Sequence, residues 1–168
     1  MGFEDALYTI ILYPVLYILP AYVSNGAPVI FGGGVPIDMN HKFMGKPIFG
    51  KHKTVRGLIS GILSGFLIAA LLSYLMPGIF FAGISMSIGT QAGDLAGSFI
   101  KRRRGKKSGE RTLLLDQYPF LIFALLFAFP FGGFPSIWGI IFLVILTGLL
   151  HRSTNAAAHS LKIKDVPW

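Results

Sequence analysis

Five long runs of uncharged, apolar residues constrain this sequence more than any other feature. They cover residues 6–23, 57–76, 79–100, 118–129 and 137–150, and together they contain a single charged side chain, Asp94. A helix needs about 20 mostly apolar residues to cross the hydrocarbon core of a bilayer, with a range near 17–25. The first and the two central runs meet this directly or with one flanking turn, and the last two need residues from both flanks. The expected elements are helices at residues 6–23, 55–76, 79–100, 114–130 and 135–153. The expected fold class is therefore an all-α integral membrane protein, one membrane-embedded domain over 1–168 with five transmembrane helices. Composition agrees, since 53% of residues are hydrophobic and only 13% charged, about half the charge density of a typical soluble domain. A chain this short cannot hide so much apolar surface in a water-soluble core. The absence of cysteine excludes disulfide scaffolds and Cys-ligated zinc or iron–sulfur sites.

The placement of charge gives a side to each loop. The fifteen Lys and Arg residues fall in three groups: Lys42, Lys46, Lys51, Lys53 and Arg56; Lys101, Arg102, Arg103, Arg104, Lys106, Lys107 and Arg111; and Arg152, Lys162 and Lys164. With five crossings, all three groups lie on one side. The other side would carry the N-terminus, the Pro77-Gly78 turn and residues 130–136, where the only charges are Glu4 and Asp5. The positive-inside rule then puts the N-terminus outside and the C-terminus and active site in the cytoplasm of a multi-pass cell-membrane protein. No cleavable leader is expected, because the first helix lacks a basic region before it. Basic runs also bind nucleic acid, but no aromatic-studded soluble domain accompanies these, so no nucleic-acid partner is expected.

The polar chemistry is thereby concentrated in two cytoplasmic loops, 24–54 and 101–116. The first is rich in Gly, Pro and Asn and reads as a shaped loop, not a helix; a loop that long without regular structure is usually functional. Two rows of glycine at spacing four, Gly57, Gly61 and Gly65, then Gly89, Gly93 and Gly97, predict that the second and third helices pack closely as a hairpin around Pro77-Gly78.

Asp94 is the anomaly. A carboxylate inside an apolar span is costly and marks a functional site by default. Ser87, Gln91, Asp94, Ser98 and Lys101 follow spacings of four, three, four and three and share one helical face. Asp94 is seven residues from Lys101, about 10 Å at 1.5 Å per residue, which sets it near the headgroup boundary. Asp116 stands at the same interface and Glu110 between them. Such a carboxylate could pair with a cation, relay a proton, or hold a hard cation such as Mg²⁺, which takes one or two carboxylates together with substrate phosphates. Acids beside many cations suggest a metal-bridged polyphosphate in a basic cup.

Residues 93–117, GDLAGSFIKRRRGKKSGERTLLLDQ, resemble the signature of membrane CTP-dependent phosphatidate cytidylyltransferases: a Gly-Asp, a Ser four residues on, a Lys-Arg pair, a Lys before a Ser-Gly turn and a distal Asp. The Pro-Gly-His-Gly-Gly stretch and the Asp-Arg-x-Asp ending of the bacterial enzymes are missing. The whole chain is more similar to the smaller archaeal CDP-archaeol synthases. The similarity rests on Asn25-Gly26-Ala27-Pro28, Gly32-Gly33-Gly34 with Pro36 and Asp38, Gly45-Lys46-Pro47-Ile48-Phe49-Gly50, Lys53-Thr54-Val55-Arg56-Gly57 and Gly93-Asp94. What it implies is a five-helix, Mg²⁺-dependent enzyme that transfers CMP from CTP to 2,3-bis-O-geranylgeranyl-sn-glycerol 1-phosphate. The implied roles follow. Asp94 and Asp116 would hold the metal, with Lys101 as the third catalytic residue. Lys101, Arg102, Lys106 and Lys107 would grip the β- and γ-phosphates. Lys46, Lys53 and Arg56 would do the same or bind the lipid headgroup. Asn25 and Gly26 would offer backbone N–H groups from a turn, and Thr54 would cap the second helix or bind phosphate there. Gln91 and Ser98, on the Asp94 face, complete the nucleotide- and phosphate-binding set. The expected partners are CTP, the isoprenoid glycerol-phosphate lipid and the bilayer.

Other residues are set aside. Asp38 beside Asn40 reads as a turn former, and His41 and His52 as loop residues. His151, Asn155 and His159 recur at spacing four but lack a third ligand. Another membrane phosphate-lipid enzyme, such as a CDP-diacylglycerol synthase or a glycerol-phosphate acyltransferase, is the alternative reading. The Asp-Gly and Ala-Arg pattern of a CDP-alcohol phosphotransferase is absent, and an ion-coupled transporter should carry polar residues in several spans or an internal repeat.

Overall fold

The computed structural model describes residues 2–110 and 112–162, so Arg111 and Lys164 of the basic groups lie outside the described residues. The described residues are helical apart from the connections between helices, of which the longest, 32–54, carries a small hairpin. A short helix α1 (Phe3–Leu7) runs through a π-helical turn (Tyr8–Leu12) into α2 (Tyr13–Phe31). A small hairpin, β1 (Lys42–Phe43) and β2 (Lys46–Pro47), follows, then α3 (Val55–Leu72) and α4 (Ile79–Arg103). The remainder is α5 (Leu113–Gln117), α6 (Pro119–Ala128), a 3₁₀ turn (Phe129–Phe131) and α7 (Ile137–Ser160).

Among the described residues, three helical stretches are long and apolar enough to cross a membrane: Phe3–Phe31, Val55–Leu72 and Ile137–Ser160. Helix α4 is long enough but carries Ser, Thr, Gln and Asp along its length. The fold accommodates them by placing α4 in the middle, so that Ser87, Thr90, Gln91 and Ser98 are all buried. The apolar core around α4 is made by Tyr17, Ile18 and Ala21 of α2, Met86 of α4, Leu121 and Ala124 of α6 and Leu143 of α7.

Glycine decides how closely the elements approach α4. A Cβ on Gly61 would lie 2.1 Å from Gln91 Nε2, and one on Gly65 2.1 Å from Ser87 Oγ. The glycine row of α3 therefore does face α4, as the spacing predicts. The row on α4 turns the other way. A Cβ on Gly89, Gly93 or Gly97 would strike the carbonyl oxygens of Phe123, Pro119 or Leu115 at 2.5, 2.3 and 2.8 Å. The expected glycine-to-glycine hairpin is corrected accordingly: α4 uses its row to seat α5 and α6, and meets α3 through polar side chains instead.

Three boundaries also differ from expectation. The stretch 24–31 is helical, not loop, so Asn25 and Gly26 stand in α2 and form no turn. The physical reason lies in Pro28, which has no N–H to give the carbonyl of Ser24 four residues earlier. That carbonyl accepts from Gln91 Nε2 at 2.7 Å instead, so a proline that would ordinarily break the helix is tolerated by a side chain from α4. The expected single helix at 114–130 is broken at Tyr118, because Pro119 has no N–H to give the carbonyl of Leu115 four residues earlier, giving α5 and α6. The last helix runs on to Ser160, starting from Ser136, whose Oγ accepts from Gly139 N at 3.2 Å.

Candidate active site

The site is assembled where α4 leaves the helical bundle. Thr54 caps α3 with its side chain, accepting from Gly57 N at 3.1 Å, as expected for a residue in extended backbone before a helix. The loop ahead of it is tied down by Asp38, which is buried. Its carboxylate accepts from Asn40 N at 3.1 Å and from Phe49 N and Gly50 N at 3.0 Å each. Burial alone would raise this carboxyl; the N–H donors of Gly50, Phe49 and Asn40 outweigh it and hold it below the usual aspartate value. Asp38 thus shapes the loop with its carboxylate committed to backbone donors, and it lines the cavity that the loop forms.

The folded loop and the end of α4 enclose a cavity of about 480 Å³, whose cations are Lys42, Lys46, Lys51, Arg102, Lys106 and Lys107. Arg102 is the key member. It is buried, and its Nε and Nη1 have no hydrogen-bond partner among the described residues. A buried guanidinium left with free donors is costly unless something else binds it. Gly50, at φ +97°, lets the loop pass it: a Cβ there would sit 3.4 Å from Arg102 Nη1 and 3.0 Å from Ser108 Oγ. The cavity is therefore one that a multiply charged anion could enter, satisfying Arg102.

Asp94, Asp116 and Glu110 each have a lysine. Lys53 Nζ meets Asp94 Oδ2 at 2.5 Å, Lys101 Nζ meets Asp116 Oδ1 at 2.5 Å, and Lys106 Nζ meets Glu110 Oε1 at 2.5 Å. Asp116 is also engaged through Oδ2, which accepts from Thr112 N at 2.6 Å, so it closes the first turn of α5. The hydrogen bonds at Asp94 among the described residues use Oδ2 alone, leaving Oδ1. No group of three or more His, Asp or Glu able to hold a metal occurs among the described residues. A hard cation could take Asp94 Oδ1 only by completing its shell with phosphate oxygens and water, which is the habit of Mg²⁺.

The structure brings together Lys46, Arg102, Lys106 and Lys107 around one cavity. Lys53 and Asp94 form a neighbouring pair: Lys53 N donates to the carbonyl of Gly50, a cavity residue, at 3.1 Å. Lys101 and Asp116 form the second pair, on the α5 side. Gln91 is taken up by Ser24, whose carbonyl and Oγ it reaches at 2.7 and 3.0 Å, and Ser98 is buried within the bundle; neither lines the cavity. Asn25 and Gly26 are in mid-helix, away from it. Arg56 lies elsewhere, on an apolar groove of about 540 Å³ formed by Phe31, Val35, Val55, Ile59, Ser60 and Leu63. Lys42 and Lys51, which line the cavity, and Arg103 are not singled out by the sequence pattern. Nothing in four adjacent cations separates them until the helix is built; successive residues then point about 100° apart.

Comparison with known proteins places the chain in a family. A family profile described as CarS-like, CDP-archaeol synthase, matches residues 7–168. The CDP-archaeol synthase of Pyrococcus abyssi is 41% identical over 160 residues, which is 90% of this chain and 95% of that one. That of Pyrococcus furiosus is 40% identical over 170 residues, 94% of this chain and all of its own length. A solved structure of an intramembrane enzyme for archaeal membrane lipid biosynthesis superposes with a TM-score of 0.81 at 32% identity, covering 86% of this chain and 94% of that one.

Proposed function

The chain belongs to the CarS-like family of CDP-archaeol synthases, and from that membership we propose that it transfers CMP from CTP to the phosphate of an isoprenoid glycerol-phosphate lipid, giving a CDP-activated lipid and pyrophosphate. The observation that carries the reading is the buried Arg102, with two unpartnered donors aimed among five lysines; a triphosphate is the ligand that such a cup suits.

A lipid-phosphate oxygen attacks the α-phosphorus of CTP, the bond from that phosphorus to the bridging oxygen of the β-phosphate breaks, and pyrophosphate departs with the electron pair. The nucleophile is already an anion, so no general base is required. The work lies in bringing two anions together and stabilising charge on the leaving group. Lys46, Arg102, Lys106 and Lys107 hold the β- and γ-phosphates, Arg102 by its planar fork and the lysines as point charges. Asp94 lies eight residues back along α4, about 12 Å, which puts it at the α-phosphate and lipid-phosphate end. Lys53, beside Asp94, meets the incoming lipid phosphate. Arg56 draws that phosphate to the mouth of the apolar groove, and Ile59 and Leu63, one turn apart on α3, line the path of the chains. Asp94 would hold Mg²⁺ through its Oδ1, while Asp116, whose two oxygens are taken by Lys101 and Thr112, would orient Lys101 and not join the metal; when bound, Mg²⁺ would supply charge neutralisation to the phosphates. In this reading α4 and the α5–α6 segment complete five crossings, with the N-terminus outside and the cavity facing the cytoplasm.

Incubating the purified protein with Mg²⁺, the isoprenoid glycerol phosphate and each radiolabelled nucleoside triphosphate in turn tests the proposal. Label from CTP should enter the lipid fraction with one pyrophosphate released per lipid. Label transfer from none of the triphosphates would overturn it.

A further inference from the structure

The β1–β2 hairpin cannot hold itself. It has two residues per strand, and short isolated hairpins are marginal in water. Its turn residues, Met44 at φ 51° and Gly45 at φ 74°, are both left-handed, as a two-residue hairpin turn requires, and that conformation is unfavourable for methionine. The missing support comes from α4. The guanidinium of Arg103 lies against the rings of Phe43 and Phe99, 5.4 and 5.2 Å from their centroids. Its Nη1 donates to the carbonyl of Phe43, and its Nη2 to those of Lys46 and Pro47 at 3.1 and 2.5 Å. Lys46 Nζ answers by donating to the carbonyl of Arg103 at 3.1 Å. Arg103 thus commits both terminal nitrogens to the protein, its Nε alone being unpartnered among the described residues, while its neighbour Arg102 keeps Nε and Nη1 for a ligand.

We propose that Arg103 is a positioning residue that clamps the hairpin to α4, so that Lys42 and Lys46 stand across the cavity from Arg102 at the spacing the triphosphate needs. The clamp bears directly on the cavity, since Lys42, Lys46 and Pro47 of the hairpin all line it. Lysine cannot replace it, because an ammonium neither stacks in plane between two rings nor spans three carbonyls. The inference rests on the reading of the cavity as the CTP site.

The chain has no cysteine, so a nitroxide can be attached at Met44→Cys, a residue 80% exposed at the turn. Arg103→Lys should convert the label's spectrum to a mobile one, raise KM for CTP about tenfold or more, leave kcat within about threefold and leave KM for the lipid unchanged. Phe43→Leu keeps the arginine, removes one ring from an exposed position, and should move the same readouts in the same direction; it carries the test if Arg103→Lys does not fold. Arg102→Gln should raise KM for CTP without freeing the label. An unchanged spectrum in both Arg103→Lys and Phe43→Leu would refute the clamp whatever the enzyme does. A mobile label with an unchanged KM for CTP would refute its role in placing the cations. Absence of CTP turnover in the parent protein would instead strike the reading of the site, leaving the spectrum to judge the clamp.

Discussion

Asp94 and Asp38 are both carboxylates set among cations and glycines, yet their surroundings give them opposite tasks. Asp94 is one-third exposed and paired through one oxygen with Lys53. Asp94→Asn should lower kcat/KM for CTP by about 10²-fold or more, in the range of losing one preorganised electrostatic contact, with little change in thermal unfolding in detergent. Near parental turnover would remove it from the site. Asp38 is buried and satisfied by three backbone donors. Asp38→Ala leaves them without an acceptor and should cost about 1–3 kcal/mol, read as loop exchange and a raised KM for CTP. Because its folded pKa lies below the unfolded value, its stabilisation is complete above about pH 4 and is lost as pH falls through the folded value. Protection factors over residues 38–50, corrected for the intrinsic pH dependence of amide exchange, should therefore fall on acidification below that point in the parent, and show no such step in Asp38→Ala.

At the scale of elements, glycine positions that look alike in the sequence differ by what stands opposite. Gly93→Ala would place a Cβ 2.3 Å from the carbonyl oxygen of Pro119, backbone that cannot swing aside, and should destabilise the bundle by about 1–3 kcal/mol, measured as a lower Tm in detergent. Gly26→Ala meets nothing within 4 Å and should be neutral or mildly stabilising, because alanine is the better helix former by about 1 kcal/mol. That pair of outcomes separates Gly26 in a helix from Gly26 in a phosphate-binding turn: only the turn reading predicts loss of CTP turnover on Gly26→Ala. Ser24, Pro28 and Gln91 show the same dependence on partners. Pro28 alone argues for a helix end, and the helix continues because Gln91 answers the carbonyl that proline leaves open.

For the whole molecule, the reading of five crossings has a direct consequence. Single cysteines at Met44 and Ser160 should label from the cytoplasmic side, and one at Tyr74, 88% exposed after α3, only from outside. Labelling of Met44→Cys and Tyr74→Cys from one side would refute the topology. The sequence by itself determined the solvent, since no fold in water hides so many apolar residues, and it kept Lys and Arg out of the apolar runs, since charge is costly in hydrocarbon. It also singled out Asp94, by cost alone, and the cap at Thr54, by local hydrogen bonding. Tertiary structure decided the rest. Which of the adjacent cations Lys101, Arg102 and Arg103 would face an acid, a cavity or a hairpin depends on the rotation of α4 against its neighbours. Which glycine row would meet which helix, and whether Asn25-Gly26 would turn, depend on contacts between residues tens of positions apart. Local propensity and periodicity carry no information about those distant partners, and packing does.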